Sequence, residues 1–446
     1  MALRSLLRRC LLLAFFLRGG FGSFPSNPSS TCQSALDASC VQLCWDDPSE
    51  SRGCDGPMVA RSSGPGEDEW RCYSPSTLDA DQEEYVSGDC YCSRDAELSL
   101  IEDLCEQNVT TVFSVDYDGD NCYRIPSIIR LASGRMLAFA EQRTSGCSDN
   151  GSNNLVLRRS NDDGATWGDI ITIEAGEGRS LSNPNPVEVT FPNGTRAVLF
   201  HYDTMNNPSE DSHGQNLQRW SLDEGATWGA PSDLTEFMPP GFEGCLPGPS
   251  VGIQQQPPSS RSAGAAAAET IYFSCHASNG ALLYFSSNMG QSWNYSEPIT
   301  GLNECSIALL PNRSVAMNCR GGSIRKQLTF SEGGQLLSGP TLPAGLVDPG
   351  CQGSIVAAPP AQSSQQGTLF LSNDATSDKR YNMTVKRSDD AGATWDEGLL
   401  IWDRKSAYSQ LVAWTEEGAA HMALLFELGT DSKYEAIGFV RVPLDC

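Results

Sequence analysis

One phrase recurs four times along the chain: Ser160-Asn-Asp162-Asp-Gly164-Ala-Thr166-Trp167, Ser221-Leu-Asp223-Glu-Gly225-Ala-Thr227-Trp228, Ser286-Ser-Asn288-Met-Gly290-Gln-Ser292-Trp293 and Ser388-Asp-Asp390-Ala-Gly392-Ala-Thr394-Trp395. Each copy follows a run of alternating apolar and polar residues, such as Asn154 to Arg159 and Ala281 to Phe285, the pattern of a strand with one face buried. The phrase therefore reads as a hairpin turn. Its Asp can accept backbone N–H groups ahead of it, its Gly can take positive φ, and its Trp is large enough to wedge between neighbouring sheets. None of these jobs involves a ligand, so the repeated Asp residues read as structural. Recurrence at intervals of about 60 to 100 residues predicts an all-β chain of repeated four-stranded sheets, some bearing the turn and some not, as in a β-propeller.

The 446 residues exceed one ordinary domain, so a large β-domain with a smaller companion is the natural partition. Residues 1–22 place Arg4, Arg8 and Arg9 before the apolar run Cys10 to Leu17, which reads as a secretory signal peptide too short to span a bilayer. An Arg-rich transit peptide is the competing reading. The 17 cysteines favour secretion. With Cys10 removed, eight fall between Cys32 and Cys105 and eight between Cys122 and Cys446, two even sets suited to disulfides formed in an oxidising compartment. Cys40-x3-Cys44 and Cys90-x-Cys92 superficially suit a metal, but no His or CxxC pair accompanies them. Sequons at Asn108, Asn150, Asn193, Asn294, Asn312 and Asn382 agree with a lumenal or extracellular chain. Residues 23–109 are thus expected to form a small Cys-rich, disulfide-stapled segment, and residues 110–446 the propeller. Two low-complexity stretches, Gln254 to Ala268 and Pro359 to Gln366, read as solvent loops.

A net charge of −25 argues against nucleic acid, which needs Lys/Arg stripes. It also means that an anionic substrate would need a local Arg cluster. Gly248-Pro-Ser250-Val-Gly252 matches the G-x-S-x-G of serine esterases, but an elbow needs a strand before it and a helix after it, and prolines precede this Ser. His201, His213, His276 and His421 are too scattered for a zinc site. What does stand out is arginine within apolar strands: Tyr123-Arg124-Ile-Pro126, Leu137-Ala-Phe-Ala-Glu141-Gln-Arg143, Met317-Asn-Cys-Arg320 and Arg380-Tyr-Asn-Met-Thr-Val385. Arg is rarely buried unless paired, so each marks a site, an ion pair or a snorkelling rim.

Tyr123-Arg-Ile-Pro126 followed by Leu137 to Arg143, with Asp boxes downstream, resembles the sialidase (exo-α-neuraminidase) superfamily. The resemblance covers roughly Thr111 to Leu444, continues through Leu302-Asn-Glu304-Cys, Gly350-Cys-Gln-Gly-Ser354, Ala407-Tyr408-Ser409 and Leu425-Phe-Glu427, and looks closest to the animal lysosomal-type and cytosolic-type enzymes. The Cys-rich segment departs from that pattern. The resemblance implies a six-bladed β-propeller that removes terminal sialic acid from glycoproteins, glycolipids such as gangliosides, or oligosaccharides, through a covalent tyrosyl intermediate and without metal or cofactor.

Carried over residue by residue, Arg124, Arg320 and Arg380 look like a triad that grips the substrate carboxylate, a task suited to planar, permanently charged guanidinium forks. Tyr408 matches the nucleophile and Glu304 its proton-accepting partner. A neutral phenol suits this substrate because the anomeric carbon bears a carboxylate that would repel an anionic Asp or Glu. Asp149, the one carboxylate on the loop after Arg143, resembles the acid/base catalyst, with the Asn150 sequon beside it. Arg143 resembles a fourth pocket arginine, and Glu141 and Glu427 resemble carboxylates that orient triad arginines. The implied partner is a sialylated glycoconjugate, with no nucleic acid and no transmembrane segment, in the lysosomal lumen or outside the cell. A carbohydrate-binding propeller without activity is the rival from another class, and a trans-sialidase would use the same residues.

Overall fold

The structure is a computed structural model that describes residues 109–115, 121–149, 151–205, 214–256, 269–359, 364 and 367–444, together with three strands nearer the N-terminus. The proposed signal peptide, the Asn108 and Asn150 sequons, and most of residues 23–109 lie outside the described residues. The chain divides into two compact units, Met1–Glu106 with Cys446, and Gln107–Asp445. In the first, β1 (Val59–Ser62), β2 (Glu69–Tyr73) and β3 (Tyr91–Ser93) form an antiparallel sheet. Among the described residues no helix is long and apolar enough to cross a membrane.

The second unit begins with β4 (Thr110–Ser114), which joins a sheet completed by the end of the chain. Next come β5 (Cys122–Arg130), β6 (Met136–Arg143), β7 (Asn153–Ser160) and β8 (Ile171–Glu174), then β9 (Leu181–Thr190), β10 (Arg196–Thr204), β11 (Asn216–Ser221) and β12 (Ser232–Asp233), each set forming a four-stranded sheet. In the third sheet β13 (Leu246–Pro247) and β14 (Ile253–Gln255) share the edge of β15 (Thr270–Ala277), followed by β16 (Gly280–Ser286) and β17 (Asn294–Tyr295). The fourth holds β18 (Cys305–Leu309), β19 (Val315–Arg320), β20 (Arg325–Phe330) and β21 (Leu336–Thr341). The last runs through β22 (Ser354–Ala357), β23 (Leu369–Asp374), β24 (Tyr381–Ser388), β25 (Leu399–Glu416), β26 (Ala419–Gly429) and β27 (Ala436–Arg441) to β4.

That last sheet is two units in one. β25 pairs with β24 up to Lys405 and slips register against β26 between Ser406 and Ser409. Dividing it there leaves six units, each of four strands except that β13 and β14 together fill the innermost place of the third. Their innermost strands touch in succession, β5 to β9, β9 to β13 and β14, β14 to β18, β18 to β22, β22 to β25, and β25 back to β5, which closes a ring. Six apolar clusters each span two neighbouring units; one joins Leu137 and Phe139 to Val198 and Phe200, another joins Ala308 and Leu310 to Ile355 and Leu369. The core of this propeller therefore lies between its sheets.

The repeated phrase does what its residues suggest. Each copy links the third and fourth strands of a unit. In the first, Asp162 Oδ1 accepts the Thr166 N–H at 2.9 Å and Ser160 Oγ accepts the Gly164 N–H at 2.8 Å. Gly164 has φ +88°, and a Cβ there would lie 2.1 Å from the Phe439 ring. Asn288 replaces the Asp in the third copy and makes the same bond to Ser292 N–H, at 3.0 Å. The tryptophans wedge between units: Trp228 packs on Phe139 and Phe200, and Trp167 on Phe439.

Two expectations need correction, and the rejection of Ser250 stands. Ile253–Gln255 is a strand, not loop, and the Gln255 amide donates to the Arg313 carbonyl at 2.9 Å. The described cysteines form Cys122–Cys147, Cys245–Cys275 and Cys305–Cys319, while Cys351 is free and buried. An even count cannot reveal which thiol a fold leaves unpaired. Ser250 is buried, shares a 2.8 Å hydrogen bond with Ser306 Oγ, and is followed by a strand rather than a helix, so it is no nucleophile.

Candidate active site

The residues singled out from the sequence come from separate units and meet around Tyr408. Arg124 lies near the start of β5, in the first unit of the ring, and Glu427 near the end of β26, in the last, 303 residues apart. A register shift follows Arg124, and Ile125 has φ +56°, costly for a β-branched side chain. Glu427 holds that distortion. Its Oε1 accepts the Arg124 Nε–H at 3.0 Å and the Ile125 N–H at 2.9 Å; its Oε2 accepts Arg124 Nη2 at 3.2 Å and the Tyr408 N–H at 3.1 Å. One fully buried carboxylate thus fixes both the arginine and the backbone of the tyrosine. Burial pushes the Arg124 guanidinium towards neutrality, but the Glu427 charge outweighs it and keeps Arg124 cationic.

Tyr408 occupies the register shift of β25, and the irregularity turns its side chain into the site. Its hydroxyl donates a short hydrogen bond to Glu304 Oε1, and Glu304 Oε2 accepts Arg320 Nη1 at 2.9 Å. Arg124 and Arg380 lie over its ring, with guanidinium carbons 5.0 Å and 5.6 Å from the centroid. Burial, then the Glu304 charge, drives the Tyr408 phenol well above its usual range. The ring therefore remains neutral until a base accepts its proton.

Asp149 sits on the loop between β6 and β7, with an exposed side chain. Its Oδ1 accepts Arg143 Nη1 at 2.7 Å and Arg124 Nη1 at 3.1 Å. Burial raises its carboxyl, but the hydrogen bond and charge of Arg143, with Arg124 and Arg380 behind them, win and leave it below the ordinary carboxylate range. Glu141 plays a different part from the one expected. Its Oε2 accepts Arg143 Nε and Nη2 at 2.9 and 2.7 Å, while its Oε1 accepts the Asn183 N–H at 2.8 Å. It orients the fourth arginine, not a triad member, because the β6 alternation puts residues 141 and 143 on one face.

Three further participants were given no role from the sequence. The Tyr434 ring lies 4.0 Å from the Arg124 guanidinium carbon, and its hydroxyl accepts Arg380 Nη1 at 3.3 Å. Nothing in Ser432-Lys-Tyr-Glu435 marks it. Cys351 packs with Ile125, Ala407 and Tyr408 beneath the site. Asp374, at the end of β23, accepts the Ser406 hydroxyl, and a carboxylate closing the apolar run Leu369-Phe-Leu could have signalled it. Burial pushes Asp374 up to about 7, against the Ser406 hydrogen bond. The unfolded carboxyl titrates near ~4. The stability of the protonated folded form is thus fully present below ~pH 4 and is lost as pH rises to about 7, by about 4 kcal/mol in all. Asp374→Asn is expected to flatten that loss, seen as a smaller fall in Tm between pH 4 and pH 7.5 than wild type shows. Parallel Tm profiles for the two proteins would refute the assignment.

His213 lies outside the described residues, and His201 and His276 have structural settings. His201 is buried, stacked on Phe273 with centroids 4.0 Å apart, and burial drives it down to about 3. Among the described residues no group of three or more His, Cys, Asp or Glu is arranged to hold a metal.

Comparison with known proteins agrees with this architecture. Residues 134–422 match the family model described as BNR repeat-like domain. A sialidase of Micromonospora viridifaciens is 27% identical over 333 residues, 70% of this chain and 50% of the relative, so the match spans about half of that protein's length. Sialidase-3 of Rattus norvegicus is 27% identical over 395 residues, 74% of this chain and 93% of the relative. Bacterial, mammalian and fungal sialidases thus occur at similar identity. Among solved structures, the Hadza microbial sialidase Hz136 superposes with a TM-score of 0.63 at 23% identity, over 75% of this chain and 68% of the other. The intramolecular trans-sialidase of Ruminococcus gnavus does so with a TM-score of 0.58 at 17% identity, over 75% and 97%; these two likenesses bear on the fold. The chain belongs to the BNR repeat-like domain family and is a member of the sialidase superfamily.

Proposed function

We propose that the chain is a retaining exo-α-sialidase that hydrolyses terminal sialic acid from glycoproteins, glycolipids such as gangliosides, or oligosaccharides. The observation that carries this reading is the relay Tyr408–Glu304–Arg320, with Arg124 and Arg380 over the same phenol ring. Arg124, Arg320 and Arg380 bind the substrate carboxylate, which holds the anomeric carbon above Tyr408. Tyr408 Oη attacks that carbon as its proton passes to Glu304, and Asp149 donates a proton to the departing glycosidic oxygen. A water then attacks the tyrosyl adduct. Asp149 takes the water's proton, Glu304 returns its own to the phenolate, and the two inversions leave the configuration retained.

In the free chain Asp149 lies on Arg124 and Arg143, where it is a poor acid. A substrate carboxylate on Arg124 would displace it and weaken the cationic pull on its carboxyl, raising its proton affinity when a leaving group arrives. In the free enzyme the protonated fraction of Asp149 falls tenfold per pH unit above its pKa, so kcat/KM is expected to decline towards neutral pH. The three disulfides fit an oxidising compartment, which supports a secreted or lysosomal setting.

The test follows 3′-sialyllactose hydrolysis by proton NMR between about pH 4 and about pH 8. The expected result is release with the α-anomer appearing first and an acidic maximum. No release at any pH, or the β-anomer first, would overturn the reading. Adding a galactoside acceptor distinguishes transfer from hydrolysis.

A further inference from the structure

Two of the three described disulfides end beside residues of the proposed site. Cys122 and Cys147 each lie two positions before a site residue, Arg124 and Asp149, and are bonded to each other. Cys305 directly follows Glu304 and Cys319 directly precedes Arg320; they face each other across β18 and β19 and are bonded. The third, Cys245–Cys275, belongs to the apolar cluster between the second and third units.

The first bridge acts on an otherwise exposed segment. Asp149 is carried by the loop of residues 144–152, between β6 and β7. Residues 147 and 149 of this loop bracket Arg143, whose Nη1 donates to both the Cys147 carbonyl at 2.8 Å and Asp149 Oδ1 at 2.7 Å. The Asp149 carbonyl accepts Ser180 Oγ at 3.0 Å. The side chain of Asp149 is 65% exposed, so packing alone gives its carboxylate little restraint. The bridge ties the loop covalently to the first residue of β5, the strand that carries Arg124. Proton transfer to a leaving oxygen demands placement to a fraction of an ångström, and a displacement of about 1 Å costs on the order of 100-fold in rate.

We propose that Cys122–Cys147 is a positioning device for the proton donor, holding Asp149 over the site, and that Cys305–Cys319 does the same for the Glu304–Arg320 pair. This rests on the reading of Asp149 as acid given above. The two bridges should therefore fail in different ways. A phenol such as 4-methylumbelliferone departs without help from an acid, whereas the sugar alcohol of 3′-sialyllactose needs one. Misplacing Asp149 must harm the second substrate far more than the first. Misplacing Glu304 and Arg320 weakens attack and carboxylate binding, and harms both alike.

The experiment measures kcat/KM for 4-methylumbelliferyl α-sialoside and for 3′-sialyllactose in the full chain, and reads their ratio, which is independent of the active fraction. In Cys122→Ser/Cys147→Ser the ratio is expected to rise by about 10- to 100-fold. In Cys305→Ser/Cys319→Ser both constants fall and the ratio stays within twofold. Cys245→Ser/Cys275→Ser, a core control, also leaves the ratio unchanged. Asp149→Ala sets the ceiling for loss of the acid. If it raises the ratio while Cys122→Ser/Cys147→Ser does not, the positioning role is overturned and the acid assignment stands. If Asp149→Ala itself leaves the ratio unchanged, both fall. Should the Cys122→Ser/Cys147→Ser protein lack all activity, the Cys305→Ser/Cys319→Ser protein is titrated with a water-soluble phosphine, which takes oxygen from water as each remaining disulfide gains two electrons and two protons. A ratio that climbs with reduction supports the proposal; a parallel decline on both substrates overturns it.

Discussion

Tyr408→Phe lowers kcat/KM for an α-sialoside by about 10⁴-fold or more, because it deletes the attacking oxygen and leaves no second nucleophile on the ring. The cost to folding is small by comparison. Glu304 loses the phenol but keeps Arg320 at 2.9 Å, so the buried carboxylate remains paired and the stability change stays near about 1 kcal/mol. The ring, packed against Ile125, Cys351 and Ala407, is unchanged in volume. A melt together with the sialoside assay checks both statements. Retention of more than about a tenth of wild-type turnover would show that Tyr408 is packing rather than chemistry, since an isosteric swap that leaves the arginines in place cannot spare a true nucleophile.

Arg124→Ala has the second large effect, and it falls on stability and binding together. The guanidinium is almost wholly buried against Glu427, which is itself fully buried. Removing one partner strands a carboxylate in the interior, at a cost of about 3–5 kcal/mol. The strain at Ile125 loses its support as well, because the same carboxylate accepts that N–H. For substrate, loss of a buried fork to a carboxylate raises KM by about 10²- to 10³-fold. Arg124→Lys restores charge without the planar fork, so it is expected to regain stability but little affinity. A double change, Arg124→Met with Glu427→Gln, separates the two roles: Tm recovers and activity does not. Near-normal KM in Arg124→Ala would remove this arginine from the carboxylate pocket.

Much of the fold was legible because its signal is local. A turn that needs an acceptor, a positive-φ residue and a wedge in eight consecutive positions announces itself, and Asp162, Gly164 and Trp167 each do the expected work. The turn has one feature the phrase hid. The residue before the Gly also takes positive φ in every copy, at Asp163, Glu224, Met289 and Ala391, and four different side chains there leave no pattern to read. The site was legible through family resemblance, since Arg124, Glu304, Arg320, Arg380 and Tyr408 are joined by tertiary contacts that no spacing rule encodes. Glu141 was assigned to the wrong arginine because which carboxylate meets which guanidinium depends on strand register. Tyr434 stayed invisible for a similar reason, and Cys351, though it lies in the Gly350-Cys-Gln-Gly-Ser354 run, was given no role. Each becomes part of the site only when the first and last units come together.

That meeting of first and last units bears on when the protein can work during its synthesis. β4 pairs with β27, and Arg124 with Glu427, so the clasp of the ring and the innermost pair of the site are formed by the same two ends of the domain. A ribosome that has made the chain through Tyr408 but not β26 has made a polypeptide with an open seam, an arginine without its Glu427 partner and a tyrosine whose backbone has no carboxylate to hold it. Such a chain must wait for β26 and β27, with the apolar residues of the first cluster, Val112 and Phe113 among them, available to chaperones. Assembly of the site is thus coupled to closure of the ring, and a partial ring holds its residues only in separate pieces.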